Sequence, residues 1–370
     1  MQRGEHHKLE DVGGVPFLWL RTPPYLGNTA ARVRNMLAFG LQVWRRLTHE
    51  VVEPDVILGS SPHLFAALAA ERLAARYAIP FVFEVRDLWP QTLIDLGHFP
   101  RHHPFVVLLD RIERYLYRRA GRIVTLLPRA ADHIREKGTD PSKVTWIPNG
   151  IDLDLVPTPP PPRRRKMITV MYAGAHGLAN DLNLVLDAAN MLQQDGWADR
   201  VHFRMVGDGP EKSGLIRRAQ GLGLVNIDFE AAVPKENVYK RLAEADAFVM
   251  VLQNSSLFRW GISPNKLFDY LASARPVIFC VNTSFNPIEE TRAGITVVSQ
   301  DASNLVMAIR KLTEMSPEER WHMGLRGRRY VEANHSMSNL ASRLEEIMWE
   351  LTRSQVHSFA TAIHGVKPHT

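Results

Sequence analysis

The segment SPNKLFDYLASARPV, at positions 263–277, carries a lysine and an aspartate near the start of a predicted helix. Ser263 is a favourable N-cap residue and Pro264 a favourable first helical residue. The unpaired N–H groups of a helix start attract anions, and Lys266 adds a full positive charge there. Asp269, one turn further, is suited to accept hydrogen bonds from the hydroxyl groups of a ribose. From this helix alone, a solvated Lys–Asp pair on a polar face is the favoured interpretation, and a site for a nucleoside diphosphate is the alternative.

Two glycine-bearing loops follow predicted strands before this helix. The first is YAGAHG, at positions 172–177, and the second is GDGP, at positions 207–210. Small residues allow a ligand to approach the backbone at the carboxyl edge of a parallel sheet, although a glycine after a strand is most often only a turn. Together with the helix, the loops favour a nucleotide site over a solvated helix face.

Strands and helices alternate on both sides of a proline-rich linker. The linker is VPTPPPPRRRKM, at positions 156–167, and its proline run marks a domain boundary. Buried strands such as FVFEV before it and ITVMYA after it are separated by helical patterns, which predicts parallel sheets covered by helices. We therefore predict an α/β protein with two doubly wound, Rossmann-like domains and a ligand site in the cleft between them.

Four segments are predicted along the chain. Residues 1–157 form the first domain and residues 158–335 the second. Residues 336–353 form a C-terminal helix that packs back on the first domain, and residues 354–370 form a loose tail.

Composition narrows the function classes. The chain has 370 residues, of which 45% are hydrophobic and 23% charged, which is typical of a globular protein. Its formal net charge of +6 suits an acidic ligand, nucleic acid or an anionic membrane surface, but mildly basic chains without such a partner are common, so charge alone does not choose. The single cysteine, Cys280, excludes an internal disulfide and suits a reducing compartment. The histidine pairs at 6–7 and 102–103 lack partners at metal-ligand spacing, so no metal site is predicted. No stretch reaches the roughly 18–20 apolar residues of a membrane-spanning helix.

Basic side chains surround apolar ones in the segment FVVLLDRIERYLYRRAGR, at positions 105–122. They are Arg111, Arg114, Arg118, Arg119 and Arg122. An interfacial helix that meets anionic lipid and a core-facing helix with a solvated basic side both fit this pattern. Nucleic-acid binding is not expected, because aromatic platforms do not alternate with these basic residues.

Several runs, in this order, resemble those of a known family: FEVRDLWPQTLIDLG, WIPNGID, YAGAHGLANDL, VGDGP, VPKENV, LAEADAFVMVL and SPNKLFDYLASARPVI. The family is the retaining glycosyltransferases of family 4, which have the GT-B fold, and in particular the bacterial sugar transferases of surface-polysaccharide assembly (exopolysaccharide or O-antigen). The likeness covers roughly residues 12–350.

The resemblance implies an acceptor domain followed by a domain that binds a nucleotide-diphosphate sugar, with a UDP-sugar favoured. It also implies transfer with retention to a polyprenyl-diphosphate-linked or saccharide acceptor, without a cofactor or metal ion. From the acceptor we expect a cytoplasmic protein that makes peripheral contact with the inner face of the plasma membrane.

The resemblance also implies roles for individual positions. The implied donor-binding residues are Gly174, His176, Gly177, Gly207, Asp208, Gly209, Pro264, Asn265, Lys266 and Asp269. Within this set, Asp269 would hold the ribose hydroxyls, Lys266 the diphosphate and residues 207–209 the base. Arg86 and Asp87 would face the transferred sugar, and they form the implied catalytic residues together with Lys266.

The sequence departs from the family pattern near the donor and at its start. Gly261 stands where the broader family has a glutamate that grips the donor sugar. AHGLAND, at positions 175–181, stands where it has an arginine and a lysine. This leaves Lys266, Arg259 or His176 to supply positive charge.

Relatives carry about 50 further residues before the run GGVPFLWL, the size of a strand–helix–strand unit. We therefore expect a first domain that lacks its first strand–helix–strand unit. A truncated, inactive remnant or a nucleotide-binding interaction module is an alternative function, and a GT-B sugar-nucleotide epimerase is a more distant one.

Overall fold

The computed structural model describes residues 6–25, 27, 29–50, 54–97, 99–159, 161–162, 164–297 and 301–364, without the side chains of residues 46–50 and 354–364. Contacts divide the chain into a first unit, Met1–Ile147 with Ser342–Thr370, and a second unit, Pro148–Ala341. This division falls before the predicted boundary at the proline-rich linker. The reason is that Ile151 and Val156, which precede the prolines, are buried in a hydrophobic cluster of the second unit.

The first unit combines an antiparallel hairpin with a parallel sheet. Its strands are β1 (His7–Val12), β2 (Val15–Leu20), β3 (Ile57–Ser60), β4 (Phe81–Val85), β5 (Arg122–Thr125) and β6 (Val144–Trp146). Its helices before residue 148 are α1 (Ala30–Glu50), α2 (Leu64–Tyr77), α3 (Gln91–Asp95), α4 (Pro104–Arg119) and α5 (Ala130–Glu136). Strands β1 and β2 form the hairpin, and the parallel strands pair in the order β3-β4-β5-β6. The sheet and helices were predicted, whereas the hairpin was not.

The second unit is a doubly wound sheet of six parallel strands. Its strands are β7 (Ile168–Ala173), β8 (Val201–Val206), β9 (Ile227–Glu230), β10 (Ala247–Val251), β11 (Val277–Cys280) and β12 (Gly294–Thr296). Its helices are α6 (Asn183–Gln194), α7 (Lys212–Gly221), α8 (Val238–Leu242), α9 (Asn265–Ala272), α10 (Pro287–Thr291), α11 (Ala302–Glu314) and α12 (Pro317–Asn334). The strand order is β12-β11-β10-β7-β8-β9. It reverses between β7 and β10, which is the switch point where open α/β sheets bind ligands.

Both faces of this sheet are covered, so its strands are apolar throughout. Val249 of β10 belongs to a hydrophobic cluster with residues of α6 and α11, and the preceding Phe248 belongs to a cluster with residues of α9. Burial on two faces explains why β10 reads AFVMV without alternation. In α9 the apolar residues Leu267, Tyr270 and Leu271 stand at i, i+3 and i+4, a spacing that predicts one buried face, and each of them is 0% exposed. This packing fixes α9 beside the switch point.

The last helix, α13, spans Met337–His364. It continues past Arg353, where we predicted a loose tail, and the remaining residues 365–370 lie outside the described residues. In the first unit, the side chain of Arg343 donates a hydrogen bond of 2.8 Å to the carbonyl oxygen of Trp146. None of the helices within the described ranges combines the length and the apolar character that crossing a membrane requires.

Two of the basic side chains of α4 make ion pairs inside the first unit. Arg114 donates a hydrogen bond of 2.8 Å to the carboxylate of Asp110. Arg119 donates one of 2.8 Å to Glu71, a carboxylate that is buried on α2. These ion pairs favour the core-facing interpretation of this helix over the lipid-facing one.

Candidate functional site

Two loops at the switch point pack backbone against backbone. The amide of Gly174, after β7, donates to the carbonyl oxygen of Val206 at 3.0 Å, and the amide of His176 donates to that of Asp208 at 2.8 Å. A Cβ atom at Gly207 would lie 1.9 Å from the carbonyl oxygen of Gly174, and the φ angle of Gly207 is +141°. Glycine is therefore required at 207 for loop packing, beside the base-binding role that the resemblance implies.

The start of α9 differs from the prediction. Pro264 occupies the N-cap position and the helix begins at Asn265, without a hydrogen bond from a capping side chain. Ser263, the predicted N-cap, is engaged elsewhere, because its hydroxyl oxygen accepts a hydrogen bond of 3.1 Å from the amide of Asn149. The side chain of Asn149 also donates to the carbonyl oxygen of Ser263 at 2.6 Å. The first-turn N–H groups of α9 therefore keep their partial positive charge for an anion.

Lys266 extends from the first turn of α9 to the loop after β7. Its ammonium group donates to the hydroxyl oxygen of Tyr172 at 2.8 Å and to the side-chain oxygen of Asn180. Both partners donate in turn to the carbonyl oxygen of Ala175, at 2.7 and 2.9 Å. Burial lowers the pKa of Lys266 to about 8, so the amine is still mostly protonated at neutral pH.

Asp269 lies one turn further along α9. One of its carboxylate oxygens accepts a hydrogen bond of 2.8 Å from the hydroxyl group of Tyr239 in α8. Burial raises the pKa of Asp269, and the hydrogen bond from Tyr239 opposes that rise. A carboxylate has about four acceptor positions, so this bond orients the group and leaves it capacity for the hydroxyls of a ligand.

The side chain of His176 is fully buried. It is 0% exposed, and its ring packs against those of Tyr172 and Phe229, with centroids 5.8 and 6.2 Å away. Burial, together with the charge of Lys212, lowers the pKa of His176 to about 4. Within the part of the chain that the structure describes, neither ring nitrogen has a hydrogen-bond partner. The neutral ring argues against His176 as a source of positive charge.

The remaining predicted donor residues lie on the same two loops and at the start of α9. Gly177 precedes a short 3-10 turn that leads to Asn180. The exposed Asp208 accepts a hydrogen bond of 2.8 Å from the amide of Gly209, and Asn265 is exposed at the start of α9. The structure thus brings the predicted residues of the second unit to one edge of its sheet.

Three other candidates belong to other elements of the chain. Arg86 and Asp87 belong to the first unit, where both are exposed directly after β4. The exposed Arg259 lies in a 3-10 helix of the second unit, and its guanidinium carbon is 4.7 Å from the ring centroid of Trp260. No group of three or more histidine, cysteine, aspartate or glutamate side chains is placed to hold a metal ion among the residues whose structure is described.

Sequence reasoning missed three polar residues of this site: Tyr172, Asn180 and Tyr239. Tyr172 sits within a predicted strand, and Asn180 lies in the run AHGLAND, which was noted only for what it lacks. Asn180 and Lys266 are 86 positions apart. The sequence does show that Asn180 follows β7 and that Lys266 follows β10, the two strands on either side of the switch point. This placement does not identify which atoms are hydrogen-bond partners.

Comparisons with known proteins identify the class of protein. Residues 1–150 match the family described as "Glycosyl transferase 4-like domain" and residues 168–315 match "Glycosyl transferases group 1". WbjE of Pseudomonas aeruginosa, a probable glycosyltransferase, is 22% identical over 286 residues, which cover 73% of this chain and 69% of WbjE. WcaI of Escherichia coli strain K12, whose name places it among the glycosyl transferases of colanic acid biosynthesis, is 24% identical over 319 residues, covering 80% of this chain and 76% of WcaI.

The fold has counterparts among solved structures. Anabaena Alr3699/HepE in complex with UDP-glucose superposes with a TM-score of 0.65 at 14% sequence identity, covering 88% of this chain and 84% of that chain. The two matched domains account for most of both units. The chain is therefore a glycosyltransferase with the GT-B fold, in which a glycosyl transferase 4-like domain precedes a group 1 glycosyl transferase domain.

Proposed function

We propose that this glycosyltransferase moves a sugar from a UDP-sugar to a polyprenyl-diphosphate-linked or saccharide acceptor, with retention of configuration and without a metal ion. The bond between the anomeric carbon and the diphosphate oxygen breaks, and UDP leaves with the electron pair. An acceptor hydroxyl oxygen bonds to the same carbon and its proton is released. Negative charge grows on the departing diphosphate, so positive groups placed there lower the barrier.

The observation that carries the proposal is the meeting of Lys266, the uncapped start of α9 and the loop after β7 at the switch point. The two hydrogen-bond partners of Lys266 in the loop are neutral oxygens, which leave its charge uncancelled. Asp269, one turn further, is oriented by Tyr239 and suits the ribose hydroxyls. Charge for the diphosphate and acceptors for the ribose therefore follow each other along one helix.

The nature of the donor and acceptor is supported by the relatives. HepE was solved with UDP-glucose, which favours uracil as the base. WcaI is named for colanic acid biosynthesis, which favours a growing polysaccharide as the acceptor. The predicted role of Arg86 and Asp87 toward the transferred sugar is kept in the proposal, supported by their exposed position after β4, the edge where α/β sheets bind ligands.

Contact with anionic lipid at the cytoplasmic face of the membrane is part of the proposal, and α1 supports it better than α4. Between its first turn and position 45, where the described side chains of α1 end, the exposed ones are Arg34, Leu37, Leu41, Trp44 and Arg45. Leu37, Leu41 and Trp44 are 49%, 44% and 48% exposed. No acidic residue occurs from position 30 to 45. An apolar stripe flanked by arginines suits an interfacial helix on an anionic surface.

Vesicle co-sedimentation tests this contact. We expect the chain to bind vesicles that contain phosphatidylglycerol and to bind pure phosphatidylcholine far less. Replacing Leu37, Leu41 and Trp44 with serine should abolish binding, while Leu108→Ser, at an exposed position of α4, should preserve it. Equal binding by the triple variant and the wild type would rule out α1 as the lipid-facing element.

Calorimetric titration tests the donor site. The wild type should bind UDP more tightly than GDP, and Asp269→Ala should weaken UDP binding by about ten-fold or more, because a hydrogen bond to a charged group contributes about 1.5–3 kcal/mol. The matched control is Asp195→Ala, which removes a carboxylate of the same unit that pairs with Arg310. Well-folded protein that binds neither nucleotide would contradict the proposed donor and favour an interaction module.

A further inference from the structure

We propose that Tyr172 and Asn180 are positioning residues that hold the ammonium group of Lys266 beside the start of α9, where it meets the diphosphate of the donor. The inference rests on the proposed nucleotide-sugar function. It adds to that function two side chains, both contributed by the end of β7 and the loop that follows it.

The contacts form a closed set around one backbone oxygen. Tyr172 and Asn180 each accept from the ammonium of Lys266 and each donate to the carbonyl oxygen of Ala175. Neither acceptor is therefore free to turn away from the lysine without losing its own bond. A lysine has a flexible stem and three donors, and fixing that stem before the ligand arrives reduces the entropy lost on binding.

The ammonium also lies over an aromatic face. Its nitrogen is 4.7 Å from the ring centroid of Tyr172, within the range of a cation–π interaction. The stem passes close to the loop backbone, since a Cβ atom at Gly174 would lie 3.2 Å from the Cδ atom of Lys266. A small residue at position 174 leaves room for the stem of Lys266. Gly174 therefore has this packing role in addition to the donor-binding role that the resemblance implies.

The chemistry of the two acceptors decides what the cluster is for. A carboxylate in either position would hold the ammonium but cancel its charge, whereas an amide and a phenol hold it and cancel nothing. The two aromatic neighbours keep their charge near neutral pH, because burial raises the pKa of Tyr172 and lowers that of His176 to about 4. Lys266 is thus the group of this cluster that titrates in the range of a binding experiment.

The test is UDP titration calorimetry from pH 6.5 to 9.5 on the wild type, Asn180→Ala, Asn180→Asp and Tyr172→Phe. Asn180→Ala should weaken UDP binding at pH 7 by about five-fold, the effect of one hydrogen bond of about 1 kcal/mol. It should also move the fall in affinity to lower pH, because the ammonium loses an acceptor. Tyr172→Phe, which removes only a hydroxyl group, should act in the same direction.

Asn180→Asp gives the sharper signature. It should weaken UDP binding at pH 7, because its carboxylate cancels the charge of Lys266. It should also move the fall in affinity to higher pH, because an opposite charge raises the pKa of an amine. Two substitutions at one position that shift the pH profile in opposite directions act through Lys266, and a merely structural role would not produce this pattern.

The matched control is Asn334→Ala. The side chain of Asn334 donates 3.0 Å to the carbonyl oxygen of Tyr330 at the end of α12, so its loss should change neither affinity nor pH profile. If the wild type binds UDP, and both Asn180→Ala and Tyr172→Phe bind with unchanged affinity and pH profile, the positioning role is overturned while the proposed function stands. If the wild type binds neither UDP nor GDP, the positioning role and the proposed function are both contradicted.

Discussion

Lys266 in the second unit and Lys137 in the first are partly buried lysines with opposite surroundings. The ammonium of Lys137 contacts the carboxylates of Asp110 and Glu113, the latter at 2.9 Å. Burial lowers the pKa of Lys137, but the two carboxylates outweigh it and the pKa is raised. Lys266 has two neutral acceptors, and burial lowers its pKa to about 8.

In the proposed function, the difference separates a charge that stabilises the fold from a charge that is available to a ligand. Glu113 is 1% exposed and also accepts a hydrogen bond of 2.9 Å from the hydroxyl of Tyr117, so the charge of Lys137 is balanced by a carboxylate that is buried within the protein. A lysine that is buried without a carboxylate is a cost to stability, and such groups concentrate at functional sites. The two lysines therefore give opposite expectations for activity and for stability.

Removing each lysine should have the largest effect. Lys266→Met should lower sugar transfer by about 10²–10³-fold, the usual loss when a group that stabilises developing charge is removed. Its thermal midpoint should stay the same or rise, because a buried charge is gone. UDP release and thermal denaturation measure the two effects.

Lys137→Met is the counterpart. It leaves Glu113 buried without its lysine, which should lower the free energy of unfolding by about 3 kcal/mol, while UDP affinity stays unchanged. A Lys266→Met variant that unfolds early and keeps its activity would reverse the comparison.

The next largest effect is expected from a change in the packing of the glycine loops after β7 and β8. Gly207→Ala places a Cβ atom 1.9 Å from the carbonyl oxygen of Gly174 at a φ of +141°. The loops must separate, so we expect a loss of about 2 kcal/mol or more in the free energy of unfolding and weaker UDP binding. Chemical denaturation and calorimetry measure these changes.

Gly214→Ala, in α7, is the matched control for this substitution. A Cβ atom there meets nothing within 4 Å, so alanine should be neutral or stabilising by up to about 1 kcal/mol. Equal effects of the two alanines would show that the loop packing does not depend on Gly207.

The pH dependence of UDP binding sharpens the comparison further. Because the pKa of Lys266 is about 8, affinity should fall by about ten-fold between pH 7 and pH 9 as the charge is lost. A Lys266→Arg variant stays charged and should show a flat profile. A wild-type profile as flat as that of the arginine variant would contradict a titrating Lys266.

The contributions of the two lysines to the free energy of unfolding should change with pH in opposite directions. The folded-state pKa of Lys266 lies below its ordinary value of 10.5, so the unfolded chain binds more protons and this residue adds stability as pH rises from about 8 to 10.5. The pKa of Lys137 is raised above 10.5, so its contribution is complete below that pH and is lost as pH rises through the raised pKa.

The smallest effect concerns two tyrosines that orient carboxylates. Tyr239→Phe removes the donor to Asp269 and should weaken UDP binding by about three-fold, less than a full hydrogen bond of about 1 kcal/mol, since the carboxylate itself remains. Tyr115→Phe removes a similar bond of 2.9 Å to Glu71 in the first unit and should affect stability alone. Calorimetry and thermal denaturation on both variants show whether the effects separate in this way.

The strands and the buried face of α9 could be predicted because they depend on local patterns. Apolar runs such as AFVMV and the spacing of Leu267, Tyr270 and Leu271 report burial directly. The convergence of the glycine loops with α9 also follows, because the carboxyl ends of strands around a switch point share one edge.

The partners of side chains could not be predicted in the same way. Ser263 has the residue type of an N-cap, but its oxygen is used by Asn149, 114 positions away in the chain. The local sequence does not show whether the hydroxyl of Ser263 accepts from an N–H group of α9 or from the amide of Asn149. The hairpin of β1 and β2 was missed for another reason: Leu9, Phe17 and Trp19 are exposed, so the alternation of buried and exposed residues that predicts strands is weak there.

The lowered pKa of Lys266 also makes this residue a target for chemical labelling. With a pKa of about 8, about a tenth of the amine is unprotonated at pH 7, against about one part in three thousand for a lysine at 10.5. Only the unprotonated amine attacks an acylating reagent. The single cysteine, Cys280, is buried with its pKa raised to about 11 and does not compete. In the proposed donor site, we therefore expect a nucleotide that carries an acylating group to label Lys266.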